Sequence, residues 1–149
     1  MKIIRNKLPL EYLTRLHQAI NSFIIESGST FDIDKVAKST IHNICLGMEN
    51  KALHDIWLID MDIKAYCLCR AEKDADGNKV YTAYQLWIDP KHRTGNIVYR
   101  LIKFLRFYAQ KQGYKRLYVI SSRLDKIKAY SRGLGKGFKV QTVTFVSEF

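Results

Sequence analysis

No stretch of this 149-residue chain approaches the ~18 uninterrupted apolar residues that a membrane-spanning helix needs, so no span is expected. Met1–Pro9 carries basic residues but neither an apolar segment nor a small-residue cleavage site. That argues against a secretory leader and leaves a cytoplasmic or virion setting as the default. Cysteine is scarce: Cys45, Cys67 and Cys69 cannot build a disulfide framework, and no second Cys/His pair completes a tetrahedral zinc site. Cys67 and Cys69 stand two apart in a strand-like run, so they share a face and are expected in the core. His17, His42, His54 and His92 are scattered and suggest no metal cluster. Repeats, low-complexity tracts and linkers are also missing, which leaves one domain over residues 1–149. Apolar residues make up 47% of it and charged residues 26%, enough to bury a core without staples.

Acidic residues are nearly absent from one region. Between Lys91 and Lys139 there are fourteen Lys/Arg and one acid, Asp125, a net of +13; the rest has eleven against thirteen, a net of −2. All the excess of the formal +11 therefore lies in the C-terminal third, where an anionic partner is expected, either a phosphorylated cofactor or nucleic acid.

Apolar periodicity supplies the elements. Leu13, Leu16, Ile20, Phe23 and Ile24 are spaced for a helix over Leu10–Glu26, with Pro9 at its start and Gly28 past its end. A second helix is expected over Asp34–Leu46, capped by Asp32 or Asp34. The segments Ala52–Ile59, Ile63–Arg70 and Val80–Ile88 read as strands. A short turn at Asp60–Asp62 joins the first two, and Asp74–Asn78 with Gly77 joins the next, making an antiparallel meander. Helical spacing returns over Asn96–Gln112 and stops at Gly113, a natural C-cap. Arg116–Ile120 is a short strand, Leu124–Leu134 a helix and Phe138–Val146 a last strand. The strand–helix–strand unit Val80–Ile120 predicts a parallel pair. Trp57 and Trp87 are expected in the core, with Trp87 facing away from both Leu86 and Ile88.

The turn Ile88–Ile97 carries the most chemistry. A helix start leaves backbone N–H groups unpaired and bears partial positive charge. Aimed outward beside a glycine, here Gly95, those groups form an anion site, which Lys91, His92, Arg93 and Arg100 reinforce. There is neither a Walker A lysine motif nor a G-x-G-x-x-G fingerprint, so the usual nucleotide folds are not supported.

Leu86–Leu105 (LWIDPKHRTGNIVYRLIKFL) resembles the cofactor motif of the GNAT N-acetyltransferases: an apolar strand, a proline, and an Arg/Gly turn opening a long helix. Gly113–Ile120 (GYKRLYVI) and Ala129–Phe138 (AYSRGLGKGF) are similar to the segments that follow in that family, so the likeness covers roughly Val80–Phe138. It implies an α/β domain with a mixed, mostly antiparallel twisted sheet, a central parallel βαβ unit and about four flanking helices. It implies acetyl-CoA, or another acyl-CoA, with its pyrophosphate on the backbone of His92, Arg93, Thr94, Gly95, Asn96 and Ile97. The pantetheine arm would pair with Leu86, Trp87 and Ile88, where the parallel strands part. Tyr130 matches the tyrosine that protonates the departing thiolate. The implied reaction is direct attack by an amine on the thioester, with backbone N–H groups holding the oxyanion.

The chain also departs from that pattern. Ile97 stands where a second small residue is usual, and its branched side chain would crowd a phosphate. Tyr130 lies seven residues before Gly137, where the family spacing is nearer four. Val80–Ile88 has no carboxylate to act as general base, leaving Tyr84 and Gln85 to order a water. Ser122, at the carboxyl edge of a strand, is a further cofactor contact or simply a helix cap. Two rival readings follow: a catalytically inactive structural or assembly protein of the phage type, and a basic nucleic-acid-binding module with Tyr99, Phe104, Phe107, Tyr108, Tyr114, Tyr118 and Tyr130 interleaved among its cations. The expected acceptor is a small-molecule or protein amine. A homodimer could form through Val140–Val146.

Overall fold

The computed structural model describes residues 2–8, 10–27, 32–49, 54–60, 62–93 and 96–120. In chain order these form β1 (Ile3–Arg5), a 3-10 turn (Leu10–Tyr12), α1 (Leu13–Glu26), α2 (Ile33–Met48), β2 (His54–Ile59), β3 (Ala65–Lys73), β4 (Lys79–Ile88), a second 3-10 turn (Pro90–His92), α3 (Ile97–Lys111) and β5 (Arg116–Val119). The first helix thus starts three residues later than its apolar spacing predicts. The expected helix Leu124–Leu134 and strand Phe138–Val146 lie outside the described residues.

The five strands make one sheet in sequence order, antiparallel throughout except for the parallel pair β4–β5. A tight turn can only reverse a strand; the crossover through α3 is what lets β5 run alongside β4. Local chemistry closes each joint. Asp32 Oδ1 accepts the N–H groups of Asp34 (3.0 Å) and Lys35 (3.2 Å), capping α2. In the β3–β4 hairpin, Asp74 Oδ1 accepts from Asp76 and Asn78 at 3.0 and 2.9 Å, and Gly77 takes φ 78°. Gly113, at φ 77°, ends α3 in the left-handed region that glycine enters at no steric cost. The β2–β3 turn runs on to Lys64 and holds fully buried Ile63 at φ 53°, a conformation a branched residue adopts only when its surroundings over-determine it.

Each face of the sheet has its own core. α1 and α2 cover Ile56, Leu58, Tyr66, Leu68 and Trp87 with Leu16, Ala19, Ile20 and Ile24 of α1. α3 covers Trp57, Ile59, Cys67, Cys69, Tyr81, Ala83 and Ile88 with Leu101, Ile102, Leu105 and Ala109. Both cysteines are fully buried on one face with sulfurs 3.7 Å apart, and both tryptophans are core residues. Among the described residues no group of three or more His, Cys, Asp or Glu is placed to hold a metal, and no helix is long and apolar enough to cross a membrane.

The α3-side core holds a buried carboxylate. Asp55 Oδ1 accepts from Arg5 Nη2 (2.8 Å), Arg5 Nε (3.0 Å) and Asn6 Nδ2 (2.8 Å), and its Oδ2 from the Tyr81 hydroxyl (2.7 Å). Trp57 Nε1 in turn donates to Tyr81 Oη at 2.8 Å. The Arg5 guanidinium lies 4.9 Å from the Tyr108 ring centroid, so β1, β2, β4 and α3 meet at one charge. Burial pushes the Tyr81 hydroxyl far above its ordinary range, which keeps it a donor. Tyr81→Phe leaves Asp55 one donor short and strands the buried Trp57 N–H. It should cost about 1–3 kcal/mol of unfolding free energy, read from urea denaturation, with the circular dichroism of the native state unchanged.

Candidate functional site

β4 pairs with β3 along its whole length but with β5 only over Val80–Ala83. On the β3 side the ladder slips: Leu68 faces Gln85 while Cys69 faces Ala83, so Tyr84 is an extra residue in the register of β4. Such a bulge resets strand alternation. Tyr81 and Ala83 look toward α3. Beyond the bulge Trp87 looks toward α1 and α2, and Leu86 and Ile88 look toward α3. The Ile120 N–H donates to the Ala83 carbonyl at 2.9 Å, the last contact across that edge. From Tyr84 to Ile88, β4 has β3 on one side and, among the described residues, no strand on the other.

The turn after β4 is built by Asp89. Its N–H donates to the Lys64 carbonyl (2.9 Å), its Oδ1 accepts the Lys91 N–H (3.0 Å) and its carbonyl accepts the His92 N–H (2.8 Å). The Arg93 N–H donates more weakly to the Pro90 carbonyl at 3.4 Å, so the first two amides expected to hold phosphate already have partners within the turn. α3 then opens at Ile97 from Asn96, with no capping side-chain hydrogen bond and no acid in its first turn. Ile97 is partly buried against the α3-side core, which turns its branched side chain inward. Thr94 and Gly95 lie outside the described residues.

α1 ties this turn to the sheet from both ends. Arg93 Nε donates to the Ile88 carbonyl at 3.0 Å, and its Nη2 reaches both Glu26 carboxylate oxygens at 2.7 and 2.6 Å. Arg15 pairs with Asp89 Oδ2 and lies 5.4 Å from the Trp87 ring centroid. Arg93 is thus a brace between α1 and the end of β4. Arg15 and Glu26 escaped the sequence reading because pairings across 74 and 67 residues leave no local signal.

Around the bulge, Gln85 Nε2 donates to the Tyr66 hydroxyl at 2.8 Å, and Tyr66 stacks on Trp87 with ring centroids 6.0 Å apart. Among the described residues, buried Trp87 Nε1 has no acceptor. Tyr84 sits under the Arg70 guanidinium, 5.2 Å from its ring centroid, and burial raises its hydroxyl pKa to about 12. A carboxylate does stand nearby, on β3: Glu72 Oε2 accepts the Thr82 hydroxyl at 2.5 Å, and Glu72 Oε1 pairs with Arg70. The sequence reading looked for it along β4 alone; only the β3–β4 register brings Glu72 across from Val80. Ser122 and Tyr130 lie outside the described residues.

A sheet in this order, antiparallel but for the β4–β5 pair that α3 connects, matches the fold of solved GNAT acetyltransferases. Solved structures of that class match the chain along nearly its whole length. A GNAT family acetyltransferase from Staphylococcus aureus superimposes with a TM-score of 0.65 at 12% identity, over 100% of both chains. A predicted acetyltransferase from Clostridium acetobutylicum, solved with acetyl-CoA, gives 0.67 at 16% identity over 99% of this chain and 96% of its own. An aminoglycoside antibiotic 6'-N-acetyltransferase from Acinetobacter haemolyticus gives 0.69 at 14% identity over 100% and 99%. No protein-family profile matches the chain, and no curated protein matches it in sequence.

Asp89 is the residue whose loss should register at this turn. The Lys91 N–H, then Arg15, hold its carboxyl below the ordinary value of 3.8. A depressed carboxylate pKa contributes stability that is complete above the ordinary value and is lost as pH falls through the depressed one. Asp89→Asn keeps the capping oxygen but removes the charge facing Arg15, so it should cost up to about 1 kcal/mol at pH 7, and the difference should shrink as the pH falls below the ordinary carboxylate range in paired urea titrations.

Proposed function

We propose that residues 1–149 form a single N-acetyltransferase domain that takes acetyl-CoA, or another acyl-CoA, and passes the acyl group to an amine by direct attack. The observation that carries this reading is the continuity of two backbone features. The edge of β4 over Tyr84–Ile88, which has no neighbouring strand among the described residues, leads within one turn to the start of α3, where Asn96 makes no side-chain cap. Both suit the ligand. An amide-bearing pantetheine arm can add to a strand edge, and a pyrophosphate takes N–H donors at the positive end of a helix. Eight Lys/Arg and no acid lie between Pro90 and Ile120, a composition that holds an anion.

Leu86, Trp87 and Ile88 would hold the arm through their backbone. With the His92 and Arg93 amides engaged inside the turn, the phosphates fall to Thr94, Gly95, Asn96 and Ile97, and Ser122 would close the far side. When bound, the acyl-CoA supplies an activated thioester and a thiol leaving group. Tyr130 Oη is the proton donor to that thiol on the strength of the motif it matches. Tyr84 is no base at neutral pH, since its hydroxyl keeps its proton to about pH 12. Tyr84 and Gln85 therefore orient the amine or a water, and the amine arrives deprotonated. The amine class accords with the neighbour named an aminoglycoside 6'-N-acetyltransferase.

Acetyl-CoA at a hundredfold excess over its Kd should raise the melting temperature by about 5–10 °C. Gly95→Val should abolish that shift while leaving the fold intact. An unchanged shift in the variant would move the phosphate site elsewhere, and no shift with any CoA species would sink the reading.

For the chemistry, Tyr130→Phe should lower kcat about a hundredfold or more while the CoA-induced shift persists. The wild-type kcat/KM should climb with pH along the acceptor amine's own titration, and Tyr84→Phe should leave the profile's midpoint in place. A midpoint near pH 7 that does not depend on the acceptor would instead require an enzyme base. CoA binding without turnover on any amine would favour the inactive structural protein, the reading that the carboxylate-free β4 supports.

A further inference from the structure

We propose that the outward face of α3 binds single-stranded nucleic acid, an inference that does not rest on the acyl-transfer reading. α3 buries Leu101, Ile102, Leu105 and Ala109 against the sheet and leaves aromatic rings, cations and Gln110 exposed. Tyr99, Phe104 and Phe107 are 47%, 37% and 55% exposed. Exposed Arg100, Lys103 and Lys111 lie between them, and the helix carries no acid. Arg100, Phe104, Phe107 and Lys111 recur at helical spacing, so two cations flank two rings along one stripe, and the Lys111 ammonium sits 4.8 Å from the Phe107 ring centroid.

Phe104 sets an edge against Trp57, with ring centroids 5.4 Å apart. The exposed parts of the three rings offer a planar partner a place to stack, as cations on a helix without acids offer one to an anion. Single-stranded nucleic acid suits both: bases stack on the rings while phosphates follow the cations. Tyr99 to Phe107 spans about 12 Å at 1.5 Å per residue, room for a few nucleotides. An anionic bilayer fits less well, because insertion relies on a broad aliphatic face and the aliphatic residues of α3 are all in the core or at its edge. A duplex hides the base faces that the rings require. Residues 121–149 do not supply the complement either, since that stretch carries six Lys/Arg against two acids, Asp125 and Glu148.

The test uses the full chain and a fluorescently labelled oligothymidylate of about fifteen nucleotides, read by anisotropy. Binding should be tighter than to a duplex of equal length and should weaken with salt. The log–log slope should fall by about 1.4 in Arg100→Gln/Lys103→Gln, about 0.7 for each phosphate contact removed. Tyr99→Ala/Phe107→Ala should weaken binding roughly tenfold or more while the circular dichroism and melting temperature stay those of the parent, since both rings are exposed. Four results would overturn the proposal: no binding at low salt, an unchanged affinity in the ring variant, equal competition by polyglutamate, or tighter association with phosphatidylserine vesicles than with the oligonucleotide.

Discussion

A single extra residue in β4 conditions much of the geometry around it. While Tyr81 and Ala83 face α3, β4 belongs to an uninterrupted sheet with a strand on either side. Tyr84 is an extra residue in the β3–β4 register, so the alternation resets and Trp87 passes to the α1–α2 face. Among the described residues the ladder to β5 stops just before it, at Ala83. A bulged strand twists and bends more sharply than a regular one. An unpaired strand edge inside a protein is a standing demand for hydrogen bonds, because buried N–H and C=O groups are costly to leave without partners. A fold that keeps such an edge beside a helix start presents two sets of backbone donors along one path.

The surroundings hold that path rigid. Arg93 and Arg15 brace the turn against α1, while Asp89 knits its backbone into a 3-10 turn. On the opposite face the Asp55 carboxylate, buried with four donors from three residues, fixes β1 and β4 on α3. Removing one partner from such a group leaves charge or hydrogen-bonding capacity unmet in the interior, so the site rests on polar contacts that define geometry as much as on apolar burial.

Charge is distributed with the same economy. The chain outside Lys91–Lys139 is close to neutral and spends its acids on internal partners: Asp55 with Arg5, Asp74 with Arg116, Glu26 with Arg93. α3 has no acid of its own, so its cations are left to face outward beside three aromatic rings.

The sequence by itself determined the meander, the parallel crossover through α3 and the core positions of Cys67, Cys69, Trp57 and Trp87. Those follow from period, turn chemistry and chain connectivity, which act over a few residues at a time. Only the tertiary structure decided the bulge at Tyr84, the bracing role of Arg93, the inward turn of Ile97 and the presence of Glu72 on the strand beside β4. Each depends on register between strands or on partners up to 74 residues away, and a one-residue slip in register changes every facing without altering any local signal.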